Sequence, residues 1–314
     1  MTIREAFETV ELHDEGASLQ ATFVPAAGML CCSLRHEGEE LLAQNAGVAA
    51  YAERGKTMGI PLLYPWANRL ADFDYSVDGR TVVVPRDGTR VALDDNGLPI
   101  HGVIGGRLGW ELTKTPGPDA QSLAARLSWS ENKPQLFEVF PFRHELLYEA
   151  SLADGRLEIQ VTVQACGDDV VPVAFGFHPY LSLPGVPREQ WLVQLPPMRH
   201  LALDAHQIPV SPEQTLPDEH FELAEQQFDD GFDVVTDPAR FEVGDGTRRL
   251  VLEFMEGYPC AQVFAPRPGE FICFEPMTAP ANALRSGAGL RVLSPGEEHR
   301  AGFAIRVEYL GSRG

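Results

Sequence analysis

Several things are scarce in this chain of 314 residues, and each scarcity excludes something. No apolar run approaches the roughly 20 residues needed to span a bilayer. The first ten residues, Met-Thr-Ile-Arg-Glu-Ala-Phe-Glu-Thr-Val, carry neither the basic n-region nor the apolar h-region of a signal peptide. The expected location is therefore cytoplasmic, with no membrane partner. There are only five cysteines: Cys31, Cys32, Cys166, Cys260 and Cys273. Their number is odd, and no pair has zinc-ligand or C-x-x-C spacing, so they read as small buried hydrophobes in a reducing compartment. Cys31 and Cys32 are adjacent, which places them on opposite faces of a strand. Positive charge is also short: 25 Lys plus Arg stand against 45 Asp plus Glu, a net charge of −20. Such a surface repels nucleic acid and anionic membrane. It suits a neutral ligand, whereas an anionic one needs a local basic pocket.

Familiar nucleotide and hydrolase motifs are missing too. Gly55-Lys56-Thr57 has the ending of a phosphate-binding loop, but its required first glycine is replaced by Ala50. The glycines of 102–109 do not follow G-x-G-x-x-G and lack a βαβ setting. There is no G-x-S-x-G elbow and no H-E-x-x-H.

What is abundant is short alternating segments cut by Gly, Pro and Asp. Leu157, Ile159, Val161 and Val163 share one face of a period-2 stretch, the pattern of a half-buried strand. It follows Asp154-Gly155, a strong hairpin signal, and Asp78-Gly79 repeats the arrangement. A last strand is expected over 301–309. Only Ala43 to Arg54 supports a short helix. Residues 113–122 and 195–219 read as long loops. The 29 glycines and 25 prolines are spread throughout, and composition shifts nowhere, so residues 1–314 read as a single large antiparallel β domain of two packed sheets.

Two segments carry proton-transferring side chains among aromatics. Phe175-Gly-Phe-His-Pro-Tyr180 holds His178, and Phe271-Ile-Cys-Phe-Glu-Pro-Met-Thr-Ala-Pro-Ala-Asn-Ala-Leu284 holds Glu275. A histidine and a carboxylate are a natural acid and base near neutral pH. Other polar clusters are Pro65-Trp66-Ala-Asn68-Arg69, Pro99-Ile-His101-Gly102 and Phe228-Asp-Asp-Gly-Phe-Asp233. Asn282 is a further amide, and Trp66, Phe175, Phe177, Tyr180 and Phe274 are candidate rings for stacking. His144, His200, His206, His220 and His299 lie outside these segments and read as structural.

In this order, the P-W-x-N-R, P-I-H-G, F-G-F-H-P-Y, F-D-x-x-F and E-P-M-T-A-P-x-N-A-L elements resemble the aldose 1-epimerase (galactose mutarotase) family, from about Gly59 to Leu284. The resemblance implies an all-β supersandwich, interconversion of the α and β anomers of an aldohexose, and no cofactor or metal. It implies that His178 is the general acid and Glu275 the general base. Arg69 and His101, with Asn68 and Trp66 alongside, are implied to hold the sugar. Asp229 matches the family's sugar-binding carboxylate, although Asp230-Gly231 stands where the family often has His-Asn; Asp229, Asp230 and Asp233 all remain open. A phosphorylated or sulfonated hexose is the alternative substrate, and a non-catalytic sugar-binding or sensor protein the alternative function. A glycoside hydrolase needs two flanking carboxylates, and only Glu275 has a motif. The expected partner is a small sugar, and the chain is expected to be a monomer or homodimer.

Overall fold

The computed structural model describes residues 7–309 apart from 115, 118, 235 and 237. The alternating segments form antiparallel strands, most of them in two large sheets. One sheet has nine strands, with the long hairpin His144–Ala153 and Arg156–Ala165 near its middle and Glu298–Tyr309 beside it. The hairpin turns at Asp154 and Gly155, whose φ angles of 53° and 72° match the right-handed twist of the flanking strands. Leu157, Ile159, Val161 and Val163 are all buried, so the period-2 reading holds residue by residue. The Asp78-Gly79 turn likewise joins Asp74–Val77 to Arg80–Val83.

The second sheet has eight strands, with Phe228–Val234, Cys260–Ala265 and Ile272–Met277 as neighbours, so it carries the Asp229 and Glu275 segments. The sheets meet through aromatic contacts. Phe177 lies 5.0 Å from Phe303, and Phe274 stacks on Phe241 at 5.2 Å. Phe175, Phe177 and Phe274 are thus spent on the core and are not free to stack on a ligand.

Two expectations need correction. Residues 195–219 are not a loop: Met198–Leu203 and Pro209–Leu216 form the hairpin at one edge of the second sheet. The strand tolerates its prolines because Pro209 and Pro212 sit on the outermost strand, where a missing N–H need not break a ladder. Cys166 is exposed, unlike the other four cysteines, and none of the five is bridged. Cys31 and Cys32 do point to opposite faces, each into a different apolar cluster. The short helix runs Gly47–Arg54, and Gly55 ends it at φ 69° by donating its N–H to the Ala50 and Tyr51 carbonyls. In the segment 113–122, residues 115 and 118 lie outside the described residues, and a strand begins only at Ser122. No helix among the described residues is long and apolar enough to cross a membrane.

Candidate active site

Strand register explains why two residues almost a hundred positions apart become neighbours. Gly176 pairs with Met277, and Tyr180 pairs with Cys273. His178 therefore falls opposite Glu275, and directly opposed side chains share a face. Their contact is 3.1 Å, from His178 Nε2 to Glu275 Oε1, with both side chains buried. The same logic builds outward. Glu275 pairs with Gln262, and Gln262 with Gly231. Asp229, two residues from Gly231, lies on that same face, and its Oδ1 accepts a hydrogen bond from Gln262 Nε2 at 2.8 Å.

This parity separates the three aspartates. Asp230 points to the opposite face and bonds His200, which also contacts Glu213. Asp233 shares the face of Asp229 but is occupied by Arg199. Asp229 alone approaches Arg69, its Oδ2 lying 3.6 Å from Nη2. Gly231 leaves room for this arrangement, because a Cβ there would come within 3.3 Å of Gln262 Oε1.

Arg69 and His101 reach the site from the segment that precedes the second sheet. Arg69 forms a bridge to Ile100, and His101 N–H donates to the Asn68 carbonyl at 2.9 Å. Asn68, His101 and Gly102 all have positive φ, of 56°, 60° and 67°. Such backbone is costly for ordinary side chains, so it marks a segment held by its surroundings. At Gly102 the reason is direct: a Cβ would lie 2.2 Å from the Tyr64 carbonyl oxygen. Asn68 Oδ1 accepts both the Arg69 amide, at 2.8 Å, and its Nη1, at 3.2 Å. The Asn68 amide in turn donates to His101 Nδ1 at 3.2 Å. That bond places the His101 proton on Nε2, leaving an N–H donor on the other side of the ring. Burial, reinforced by Arg69, pushes His101 down to about 3, so it acts as a neutral donor.

The His178–Glu275 pair itself is electrostatically strained toward neutrality. Burial lowers His178 well below its ordinary value, with His101 adding to the effect. Burial raises Glu275 well above the carboxylate range; Asp229 raises it further and Arg69 opposes. Among the described residues His178 Nδ1 and Glu275 Oε2 have no hydrogen-bond partner, although both atoms are buried. The His178 ring is aligned by Tyr180, which stacks on it at 4.4 Å and 8°, while the Tyr180 hydroxyl is held by Thr57 Oγ1 at 2.6 Å.

Trp66, predicted to hold the sugar, does not line the site. It is 1% exposed in the core, edge-on to Tyr75, and offers no open face. The rings beside His178 are His101, Tyr180 and Phe264, and Phe271 packs on Tyr180 and Phe264; both phenylalanines are half-buried. Asn282 braces the neighbouring loop instead of facing a ligand: its Oδ1 accepts the Ala71 amide and its N–H donates to the Arg69 carbonyl. The sequence reading missed Gln262, Phe264 and Asp94, the last bonding Arg69 Nε at 2.8 Å. Gln262 was legible in principle, as the one polar residue in the apolar stretch Cys260–Ala265, whereas Asp94 sat in an ordinary turn.

Comparisons with known proteins bear on the fold and the family. The aldose 1-epimerase family profile matches residues 8–306. The uncharacterized protein YihR of Escherichia coli K12 is 26% identical over 253 residues, covering 78% of this chain and 77% of its own. A galactose mutarotase-like protein from Clostridium acetobutylicum superposes with a TM-score of 0.79 at 16% identity, over 94% of each chain. Galactose 1-epimerase from Lactobacillus acidophilus gives 0.71 at 16% identity, over 96% of this chain and 95% of that one. At these identities the structural likeness fixes the fold, and the profile match fixes the lineage. The chain belongs to the aldose 1-epimerase family.

Proposed function

We propose that the protein is a mutarotase for a neutral aldohexose, with Glu275 as the base at the C1 hydroxyl and His178 as the acid at the ring oxygen. The observation that carries this reading is the buried 3.1 Å contact between His178 and Glu275. A pair so close and so desolvated carries one proton between its two members, so His178 can give its proton to the ring oxygen as Glu275 takes the one leaving O1.

Take the charged arrangement first, with imidazolium and carboxylate around the cyclic sugar. Glu275 removes the O1 proton while His178 delivers its own to the ring oxygen, and the C1–O5 bond breaks. The products are the open-chain aldehyde, a neutral imidazole and a carboxylic acid. That neutral pair is the one burial favours, so desolvation works in the direction of ring opening. Rotation about C1–C2 presents the other carbonyl face, and the same transfers in reverse close the ring. Protons are conserved within the pair, and no covalent intermediate forms. His101 donates a neutral hydrogen bond, while Arg69 and Asp229 hold sugar hydroxyls.

The charge inventory favours a neutral sugar over a phosphorylated or sulfonated one. Arg69 is the cation of this constellation, and it already faces Asp94 and Asp229. Glu275 and Asp229 would both repel an added anion. The test is anomer exchange, followed by NMR or polarimetry on freshly dissolved glucose and galactose with their 6-phosphates alongside. Acceleration of the free sugars is expected, with little for the phosphates. No acceleration of any sugar removes the enzyme reading, and preference for the phosphates removes the neutral-substrate one.

A further inference from the structure

Arg69 is aimed by a residue that belongs to none of the sugar-site motifs. We propose that Asp94 is a positioning residue: its carboxylate fixes the plane of the Arg69 guanidinium, from the same turn that sets His101. The inference rests on the mutarotase reading above.

Asp94 opens the turn between strands Val91–Leu93 and Pro99–Val103. Its N–H donates to the Leu98 carbonyl and its carbonyl accepts from Gly97, each at 2.9 Å. Its Oδ1 accepts the amides of Asn96 and Leu98, also at 2.9 Å. These bonds lock the side chain and leave Oδ2 for Arg69 Nε at 2.8 Å. The Asp94 side chain is 5% exposed, while its neighbour Asp95 is exposed, as a residue serving only a solvated turn would be. A turn-capping aspartate needs one oxygen; here the second is buried against a cation.

The guanidinium is planar and rigid, so a bond at Nε decides where the Nη hydrogens point. Of its two carboxylate partners, Asp229 is the looser, at 3.6 Å with a side chain 35% exposed. Asp94 therefore neutralises and orients Arg69, which leaves Asp229 free to turn to sugar hydroxyls. The backbone follows the same turn: Leu70 N–H donates to Pro99 O, and His101 N–H to Asn68 O, both at 2.9 Å. One short turn thus sets both sugar-facing groups of this segment.

Asp94→Asn keeps the Oδ1 acceptor for the two turn amides and replaces Oδ2 by a donor that cannot accept from Arg69. With glucose or galactose, kcat/KM is expected to fall about 10- to 100-fold, most of it in kcat, because misplacing a contact group by an ångström has that scale of effect. Asp95→Asn is expected to behave as wild type. In 15N NMR of the wild-type protein, the Arg69 Nε–H should exchange slowly with water, and Asp94→Asn should abolish that protection. Unchanged kinetics in Asp94→Asn, or a loss of melting temperature alone, overturns the proposal. So does a rapidly exchanging Arg69 Nε–H in the wild type, whatever the variant's stability. If the wild-type protein accelerates no sugar, the mutarotase reading fails, yet the exchange measurement still decides whether Asp94 holds Arg69.

Discussion

The acid and base roles proposed for His178 and Glu275 set what each single substitution should do. Glu275→Gln keeps the size of the side chain and its contact with Gln262's strand but removes the base. His178→Ala removes the acid and the ring on which Tyr180 stacks. A positioned acid or base contributes about 10²–10⁴-fold, so either variant should lose about that much in kcat while retaining its fold. Near-full activity in a folded Glu275→Gln protein refutes the assigned role. Because the two groups act in one coupled exchange of protons, the double variant should lose far less than the product of the single losses. Measuring kcat for both singles and the double, with circular dichroism as a check on folding, separates a coupled pair from two independent contributors.

The local motif signal was strong for His178, Glu275, Arg69, His101 and Asp229, and the fold brings these five together. It was weak where a residue's task depends on its partner across the sheet. Trp66 sits one residue from Ala67 and two from Asn68, and sequence alone does not say which side of the segment faces the core. Asp94 looks like any turn aspartate until its second oxygen is seen against Arg69.

Among the elements, hairpins with Asp-Gly turns were legible because turn type and twist are local properties. Strand order was not, because pairing between 176 and 277 is a long-range contact that no local pattern encodes. The strand Glu298–Tyr309 shows what such pairing adds. It lies between Arg156–Ala165 and Arg248–Glu256 and carries Glu308 into a ladder of arginines. Glu308 Oε2 accepts from Arg240 at 2.9 Å and from Arg249 at 2.6 Å, and Oε1 accepts from Arg306 at 2.8 Å. Burial alone would raise this carboxyl, but hydrogen bonds from Arg306, Arg240 and Arg249 hold it down to about 2. A depressed folded value means the stabilisation is present above the unfolded value of about 4.3 and fades as pH falls through about 2. Glu308→Gln should therefore cost about 1–3 kcal/mol at neutral pH, the scale of hydrogen bonds to charged groups, and much less near pH 2. Denaturant unfolding at both pH values checks this; an equal cost at both would show that the charge is irrelevant to the ladder.

For the whole molecule, the sandwich places the His178–Glu275 pair, our proposed acid and base, on a buried floor within a chain of net charge −20. That setting makes the pH dependence of activity a property of the pair and not of either residue. The active form carries one proton. Addition of a second falls on His178, which burial and His101 depress, so the acid limb of kcat/KM should lie below the ordinary histidine value of about 6.5. Loss of the shared proton falls on Glu275, which burial and Asp229 raise, so the alkaline limb should lie above the ordinary carboxylate value of about 4.3. The sign can be tested at Asp229. Its carboxylate raises Glu275, and it also occupies Arg69, which lowers Glu275. Asp229→Asn removes the first effect and releases the second, so both changes favour the Glu275 carboxylate. The alkaline limb should move to lower pH, on top of a rise in KM from loss of the sugar contact proposed for Asp229. Asp230→Asn, on the other face of the same strand, should leave the limb where it is. A limb that stays fixed in Asp229→Asn, or moves to higher pH, means that the proton being lost is not the one held by Glu275.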